Sequence, residues 1–127
     1  MIDHVTFGVS DFARSTRFYD RALAPLGVKR LFDVPSAISG GVNVTGYGDQ
    51  RPWFWLVEKD ATQGMLHIAL EADDRAAVDA FHREALAAGG RDNGAPGLRP
   101  HYHPDYYGAF VFDPDGHNIE ACCRKPE

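Results

Sequence analysis

Three side chains carry the chemistry of metal ligands at places where a fold could gather them: His4, His67 and Glu120. Imidazole nitrogen and carboxylate oxygen are common donors to divalent ions. Each histidine opens a short, mostly apolar stretch, His4–Val9 and His67–Ala72, that reads as a buried strand. Glu120 lies inside Asn118-Ile119-Glu120-Ala121-Cys122, and a carboxylate turned inward from such a strand requires a partner. A metal cation is the simplest one. Two imidazoles and one carboxylate would leave coordination positions for water or substrate, as in a catalytic rather than a closed structural site. A lone histidine at a strand end is more often structural, so the case rests on how the two histidines are related.

They are related by an internal repeat. Residues 4–27, HVTFGVSDFARSTRFYDRALAPLG, align without a gap on residues 67–90, HIALEADDRAAVDAFHREALAAGG, with eight of 24 positions identical. His4 falls on His67, Asp11 on Asp74, Phe18 on Phe81 and Gly27 on Gly90. Two amphipathic helices could converge on part of this pattern, but duplication accounts for the matched histidines as well. Each copy reads as a strand and then a helix. An Asp at the N-cap can accept from the first-turn N–H groups, and a glycine stops the helix. In the helices Phe18, Ala22 and Leu26 recur at helical spacing, as do Val78, Phe81, Ala85 and Leu86.

Strands broken by turn residues follow each helix. They are expected near Lys29–Val34, Ser39–Gly46 and Trp53–Lys59, then Arg91–Gly94, Tyr107–Asp113 and Asn118–Cys123. Asp113-Pro114-Asp115-Gly116 marks a hairpin between the last two, and residues 60–64 form a polar linker. The fold expected is therefore α+β: two βαβββ modules, about 1–60 and about 65–124, forming a cupped mixed β-sheet in a single domain over 1–127.

The bulk composition excludes several functions. The formal net charge is -5, and the 13 basic residues are scattered singly, which argues against nucleic acid. No apolar run approaches the roughly 18 residues of a membrane span, and the N-terminus lacks a secretion pattern. Cys122 and Cys123 are adjacent, which disfavours a disulfide framework and suits thiols in a reducing cytosol. A cytoplasmic location is expected.

The chain resembles the vicinal oxygen chelate superfamily of glyoxalase I, extradiol dioxygenases, fosfomycin-resistance thiol transferases and bleomycin-binding proteins. The likeness rests on Asp3-His4-Val5, the first helix, Leu66-His67-Ile68-Ala69, and the run Phe112-Asp113-Pro114-Asp115-Gly116-His117-Asn118-Ile119-Glu120. It implies that His4, His67 and Glu120 are metal ligands, with Zn²⁺, Ni²⁺, Mn²⁺ and Fe²⁺ all compatible. It also implies a homodimer in which His4 of one chain could meet His67 and Glu120 of another. Glyoxalase I has a fourth ligand, a glutamate, where the match places Trp55, and indole neither ligates a metal nor moves a proton. Ordinary glyoxalase I activity is therefore doubtful, and the remaining set is closer to the dioxygenase and thiol-transferase branches.

The stretch from Asn93 to Tyr107 is loaded with aromatic rings and imidazoles. Arg99, His101, His103 and Tyr107, with Trp55, are candidates for substrate binding; otherwise this is a solvated loop packed on the sheet edge. His101 and His103 could alternatively form a second metal site. Trp53 and Trp55 are either core fillers or pocket walls. His82 and His117 are expected at the surface. No catalytic residue beyond the ligands is assignable. A metal-dependent enzyme is one reading; a small-molecule-sequestering protein of the bleomycin-resistance type is the alternative, and a metal-free relic with a hydrogen-bonded triad is a third.

Overall fold

The computed structural model describes all 127 residues, Met1–Glu127. The first half runs β1 (Val5–Val9), α1 (Phe12–Ala22), a 3₁₀ turn (Ala24–Leu26), β2 (Lys29–Asp33), a short helical turn α2 (Ser36–Ser39), β3 (Val44–Gly48) and β4 (Pro52–Glu58). The second runs β5 (His67–Glu71), α3 (Arg75–Ala87), β6 (Arg91–Leu98), β7 (Tyr107–Phe112) and β8 (Asn118–Cys123). Both long helices start as expected: Asp11 accepts from the Arg14 N–H and Asp74 from the Ala77 N–H. The first helix ends at Leu23 rather than at the glycine, and Gly27 caps the 3₁₀ turn that follows at a φ of 74°, where a side chain would be strained.

Strand order repeats as faithfully as the sequence. The first sheet is β1-β4-β3-β2 and the second β5-β8-β7-β6, each with one parallel pair, β1 with β4 and β5 with β8. The cupped sheet expected from the sequence is thus two four-stranded mixed sheets within one chain, with β1 and β5 at their edges. One apolar cluster joins both halves. Phe7, Phe18, Tyr19, Leu23, Phe54 and Leu56 from the first meet Val78, Phe81, Val111 and Ile119 from the second, all almost wholly buried. Helix α3 packs on both α1 and its own sheet, so the helices lie together and cover one face of each sheet.

Several sequence expectations need correction. A strand over Ser39–Gly46 does not form: Ser36–Ser39 is helical, Gly40 and Gly41 take φ of 73° and 89°, and extended structure resumes only at Val44. Two successive glycines in the left-handed region break any ladder there. Conversely β6 runs on past Gly94 to Leu98 through Pro96, which an edge strand with register shifts tolerates because the missing N–H faces no neighbour. The long loop thereby shrinks to residues 99–106. Leu86, placed on the apolar face of the second helix, is 37% exposed.

His117 is not at the surface but 4% exposed. Its Nδ1 bonds the Asp113 carboxylate at 2.9 Å, its Nε2 meets the Thr62 carbonyl at 3.0 Å, and its ring lies edge-on to Phe7. Asp113 also accepts from Tyr19 of α1 at 2.5 Å. The turn read only as a hairpin signal therefore ties the second half to the linker and the first helix. His82 is also less exposed than expected, its side chain 13% accessible and bonded to Asp92. Both cysteines are free thiols, Cys123 buried and Cys122 half-buried. No helix is long and apolar enough to cross a membrane.

Candidate functional site

Alternation along β8 sorts its side chains into two sets. Ile119, Ala121 and Cys123 enter the core beneath α3, so Asn118, Glu120 and Cys122 point from the opposite face. On β5 the register pairs Ala69 with Glu120 and His67 with Asn118, which places His67 beside Glu120. The imidazole Nε2 lies 2.8 Å from Glu120 Oε1. The carboxylate is 2% exposed despite facing away from the core, whereas the His67 side chain is 34% exposed at its rim. The other carboxylate oxygen, Oε2, accepts the phenol O–H of Tyr106. Burial, and then the bond to Glu120, raise the Tyr106 phenol far above its ordinary pKa, so it stays a donor. Gly108 makes the arrangement possible, since a Cβ there would sit 3.1 Å from the Tyr106 ring and 3.2 Å from Glu120 Oε2.

The equivalent place in the first half holds no carboxylate. Thr6 pairs with Trp55 as Ala69 pairs with Glu120, so the indole occupies the pseudo-symmetric position. Gly46, opposite Trp55 on β3, lets the ring lie close against the sheet, because a Cβ there would come within 2.8 Å of it. Phe32 stands edge-on to the indole at 6.4 Å and is half exposed. Trp55 borders a surface hollow of about 320 Å³ with His4, Thr6, Val44 and Pro52. His4, just ahead of β1, directs Nδ1 to Asp3 at 2.7 Å, and Asp3 is held in turn by Arg51. That leaves His4 Nε2 turned outward on a side chain 56% exposed. A carboxylate behind a histidine in this way fixes the ring of a metal ligand.

His4 and His67 border one groove of about 550 Å³, along with Val5, Trp53, Leu66 and Ile68. Yet no three His, Cys, Asp or Glu side chains of one chain gather closely enough to hold an ion. One chain brings His67 and Glu120 together and leaves His4 apart from them. Two donors from one half fit a divalent ion only if a third arrives from elsewhere.

The loop residues fare unevenly. Tyr107 does not join the site: its hydroxyl bonds Asp79 of α3 at 2.6 Å and Arg75 covers its ring, both on the helix side. One step along extended chain reverses the face, so Tyr106, not Tyr107, reaches Glu120. Arg99 spends its guanidinium on the Gly97 and Ala95 carbonyls, both at 2.9 Å, and lies over Phe110. It braces its own strand rather than presenting a free cation. His103 Nδ1 accepts the Asp105 N–H at 3.1 Å, and the His101 ring rests on Tyr102, so these two imidazoles shape the loop separately. Trp53 donates to Asp49 and packs partly against the core. Tyr106 was legible in principle. The hairpin pairs Phe112 with Asn118 and Phe110 with Glu120, and counting back by twos reaches position 106 on Glu120's face.

Comparison with known proteins agrees with this architecture. The family model described as Glyoxalase/Bleomycin resistance protein/Dioxygenase superfamily matches residues 1–121. Among solved structures, a glyoxalase/bleomycin resistance protein from Albidiferax ferrireducens T118 is 30% identical, with a TM-score of 0.79 over 97% of this chain and 98% of that one. Glyoxalase I from Zea mays, in a mutant form, is 20% identical with a TM-score of 0.71 over 99% of this chain and 45% of its own. The fosfomycin resistance protein FosX from Listeria monocytogenes, as a mutant complexed with Mn(II) and 1S,2S-dihydroxypropylphosphonic acid, is 19% identical. It gives a TM-score of 0.68 over 95% of this chain and 87% of that one. No curated protein matches. The duplicated strand order and the match over nearly its whole length together mean that this chain belongs to the glyoxalase/bleomycin resistance protein/dioxygenase superfamily.

Proposed function

We propose that the protein is a divalent-metal-dependent enzyme acting on a small substrate that presents two adjacent oxygens. His67 and Glu120 of one chain and His4 of a second copy would hold the ion. The observation that carries this reading is the Glu120 carboxylate: nearly inaccessible, aimed away from the core, and in contact with an imidazole that remains open at the rim. The matching His4, oriented by Asp3 with one nitrogen free, has no such partner in its own chain and supports a site completed between copies. Two half-sites on one chain, each short of donors, are what a homodimer with two shared sites requires. Zn²⁺, Ni²⁺, Mn²⁺ and Fe²⁺ suit this donor set. The bound Mn(II) in FosX, of the same fold, agrees with it.

When bound, the ion supplies Lewis acidity that stabilises negative charge developing on a chelated substrate oxygen. The chain supplies the surroundings. Glu120 offers one charge to offset that of the cation, and Tyr106 keeps its second oxygen occupied. Beside His4, Trp55 of the second copy presents an apolar ring, backed by Phe32. Trp55 stands where a second ligand carboxylate would be, and the Asp3 carboxylate lining the same hollow is engaged by His4 and Arg51, which disfavours the glyoxalase I isomerisation and favours dioxygenase or thiol-transfer chemistry. Free thiols in both halves of Cys122-Cys123 suit a reducing, cytoplasmic setting.

Calorimetric titration of purified protein with Mn²⁺, Zn²⁺, Ni²⁺ and Fe²⁺, repeated on His67→Ala, tests the reading. Saturable binding lost in the variant supports it; no binding by the wild type, or unchanged binding by the variant, ends it. Sequestration without turnover is the second reading, and the half-buried Trp55 ring beside the exposed Phe32 favours it. Binding of a planar aromatic ligand that survives chelator treatment would decide for sequestration.

A further inference from the structure

We infer that Tyr106 is a positioning residue that restricts Glu120 to binding an ion through a single oxygen, Oε1, and so excludes large cations that need both. This rests on the metal-site reading above. The two oxygens of Glu120 have different neighbours: Oε2 accepts the phenol O–H, and Oε1 faces His67 Nε2 at 2.8 Å. The His67 side of the carboxylate is the accessible one, because His67 is 34% exposed. An ion entering beside His67 would displace only the imidazole–carboxylate contact and meet Oε1. To reach Oε2 it would have to break the bond to a phenol that is itself 6% exposed.

Tyr106 is firmly held. Its N–H donates to the His103 carbonyl at 3.0 Å, and its carbonyl accepts from the Arg99 N–H at 2.7 Å. Tyr102 lies edge-on to its ring at 5.2 Å, and Arg124 covers a face at 5.0 Å. The loop thereby sets the phenol against the carboxylate, through the His103 carbonyl and the Arg99 N–H. Monodentate carboxylate ligation suits small ions with few ligands, whereas Ca²⁺ gathers six to eight oxygens and commonly takes a carboxylate through both of its oxygens. Outer-shell partners of ligands typically control about 10- to 100-fold in metal affinity.

The test compares wild type, Tyr106→Phe and His67→Ala by calorimetry with Mn²⁺ and Ca²⁺, with melting curves in chelator as a folding control. Phenylalanine keeps the ring and removes only the hydroxyl. The expected result is unchanged melting within a few degrees, about ten-fold weaker Mn²⁺ binding, and a smaller preference for Mn²⁺ over Ca²⁺. A Tyr106→Phe protein that binds both ions like the wild type overturns the inference. Failure of the wild type to bind Mn²⁺, by contrast, overturns the parent reading and this inference together. If the variant does not fold, infrared difference spectra of the wild type with and without Mn²⁺, assigned by Glu120→Ala, decide the matter. Asymmetric and symmetric carboxylate stretches farther apart than in the free carboxylate support single-oxygen ligation; a narrower separation refutes it.

Discussion

Replacing Asp113 by alanine should cost the fold more than any other single polar substitution. The Asp113 carboxylate is 2% exposed and accepts four hydrogen bonds: from Tyr19 Oη at 2.5 Å, from His117 Nδ1 at 2.9 Å, and from the Asp115 and His117 N–H groups at 2.9 Å each. His117 also donates through Nε2 to the Thr62 carbonyl, so both ring nitrogens act as donors and the ring is held as a cation. Its bond to Asp113 is the main cause of its raised pKa. Alanine would leave the Tyr19 hydroxyl and the His117 Nδ1–H unpartnered between α1, the linker and β8. Breaking one partner of a buried charged pair typically costs about 3–5 kcal/mol, and each stranded buried donor is of order 1–3 kcal/mol within that total. For a domain of this size, 3–5 kcal/mol corresponds to a fall in Tm of roughly 10–20 °C. Urea unfolding followed by far-UV circular dichroism would measure it, with Asp113→Asn, which keeps an acceptor but loses the charge, falling between. A loss below about 1 kcal/mol for Asp113→Ala would show that these bonds do not tie the halves together.

The same network predicts a pH dependence. A histidine whose pKa is raised by folding stabilises fully below its unfolded value of 6.5 and loses that contribution as pH rises through the folded value. The groups facing His117 are Asp113 and Asp115 on its own turn and the Thr62 carbonyl and Phe7 from the first half, with Tyr19 reaching it through Asp113. The stability difference between wild type and His117→Leu, measured by urea titration, should therefore shrink from pH 6 to pH 9; a constant difference contradicts it. Gly46→Ala should destabilise by about 1–3 kcal/mol, since the new methyl would lie 2.7 Å from Pro52 Cβ and 2.8 Å from the Trp55 ring. A melting curve superimposed on the wild type would show that the indole does not need this close approach. Trp55→Glu restores a carboxylate at the position equivalent to Glu120 and should tighten Mn²⁺ binding about ten-fold or more by calorimetry while weakening aromatic ligands; weaker Mn²⁺ binding would place Trp55 away from the ion.

Much of this was legible in residue pattern. The repeat of His4 on His67 implies two βαβββ modules, which fold as two sheets of matching strand order, and the match that puts Trp55 at the missing ligand position agrees with the observed register, Thr6 to Trp55 and Ala69 to Glu120. What escaped depended on single steps or distant partners. Tyr106 escapes the sequence reading because the exact start of the extended chain before β7 decides which aromatic faces Glu120, and strand boundaries are the weakest part of a pattern reading. His117 looked exposed because a turn with polar neighbours reads as solvent-facing; its burial comes from Phe7 and Thr62, more than fifty residues away. Arg99 reads from sequence as an anion-binding group, but its guanidinium is taken up by the Gly97 and Ala95 carbonyls of the preceding strand.

The central claim is that His4 of one chain completes the pair His67 and Glu120 of another. Co-expressing His4→Ala and Glu120→Ala chains with different tags, and purifying the mixed dimer, tests it directly by metal analysis. Each parent homodimer should hold no ion, while the mixed dimer keeps one intact combination and should hold one. A mixed dimer as empty as its parents, or a His4→Ala homodimer as fully loaded as the wild type, would contradict the shared site.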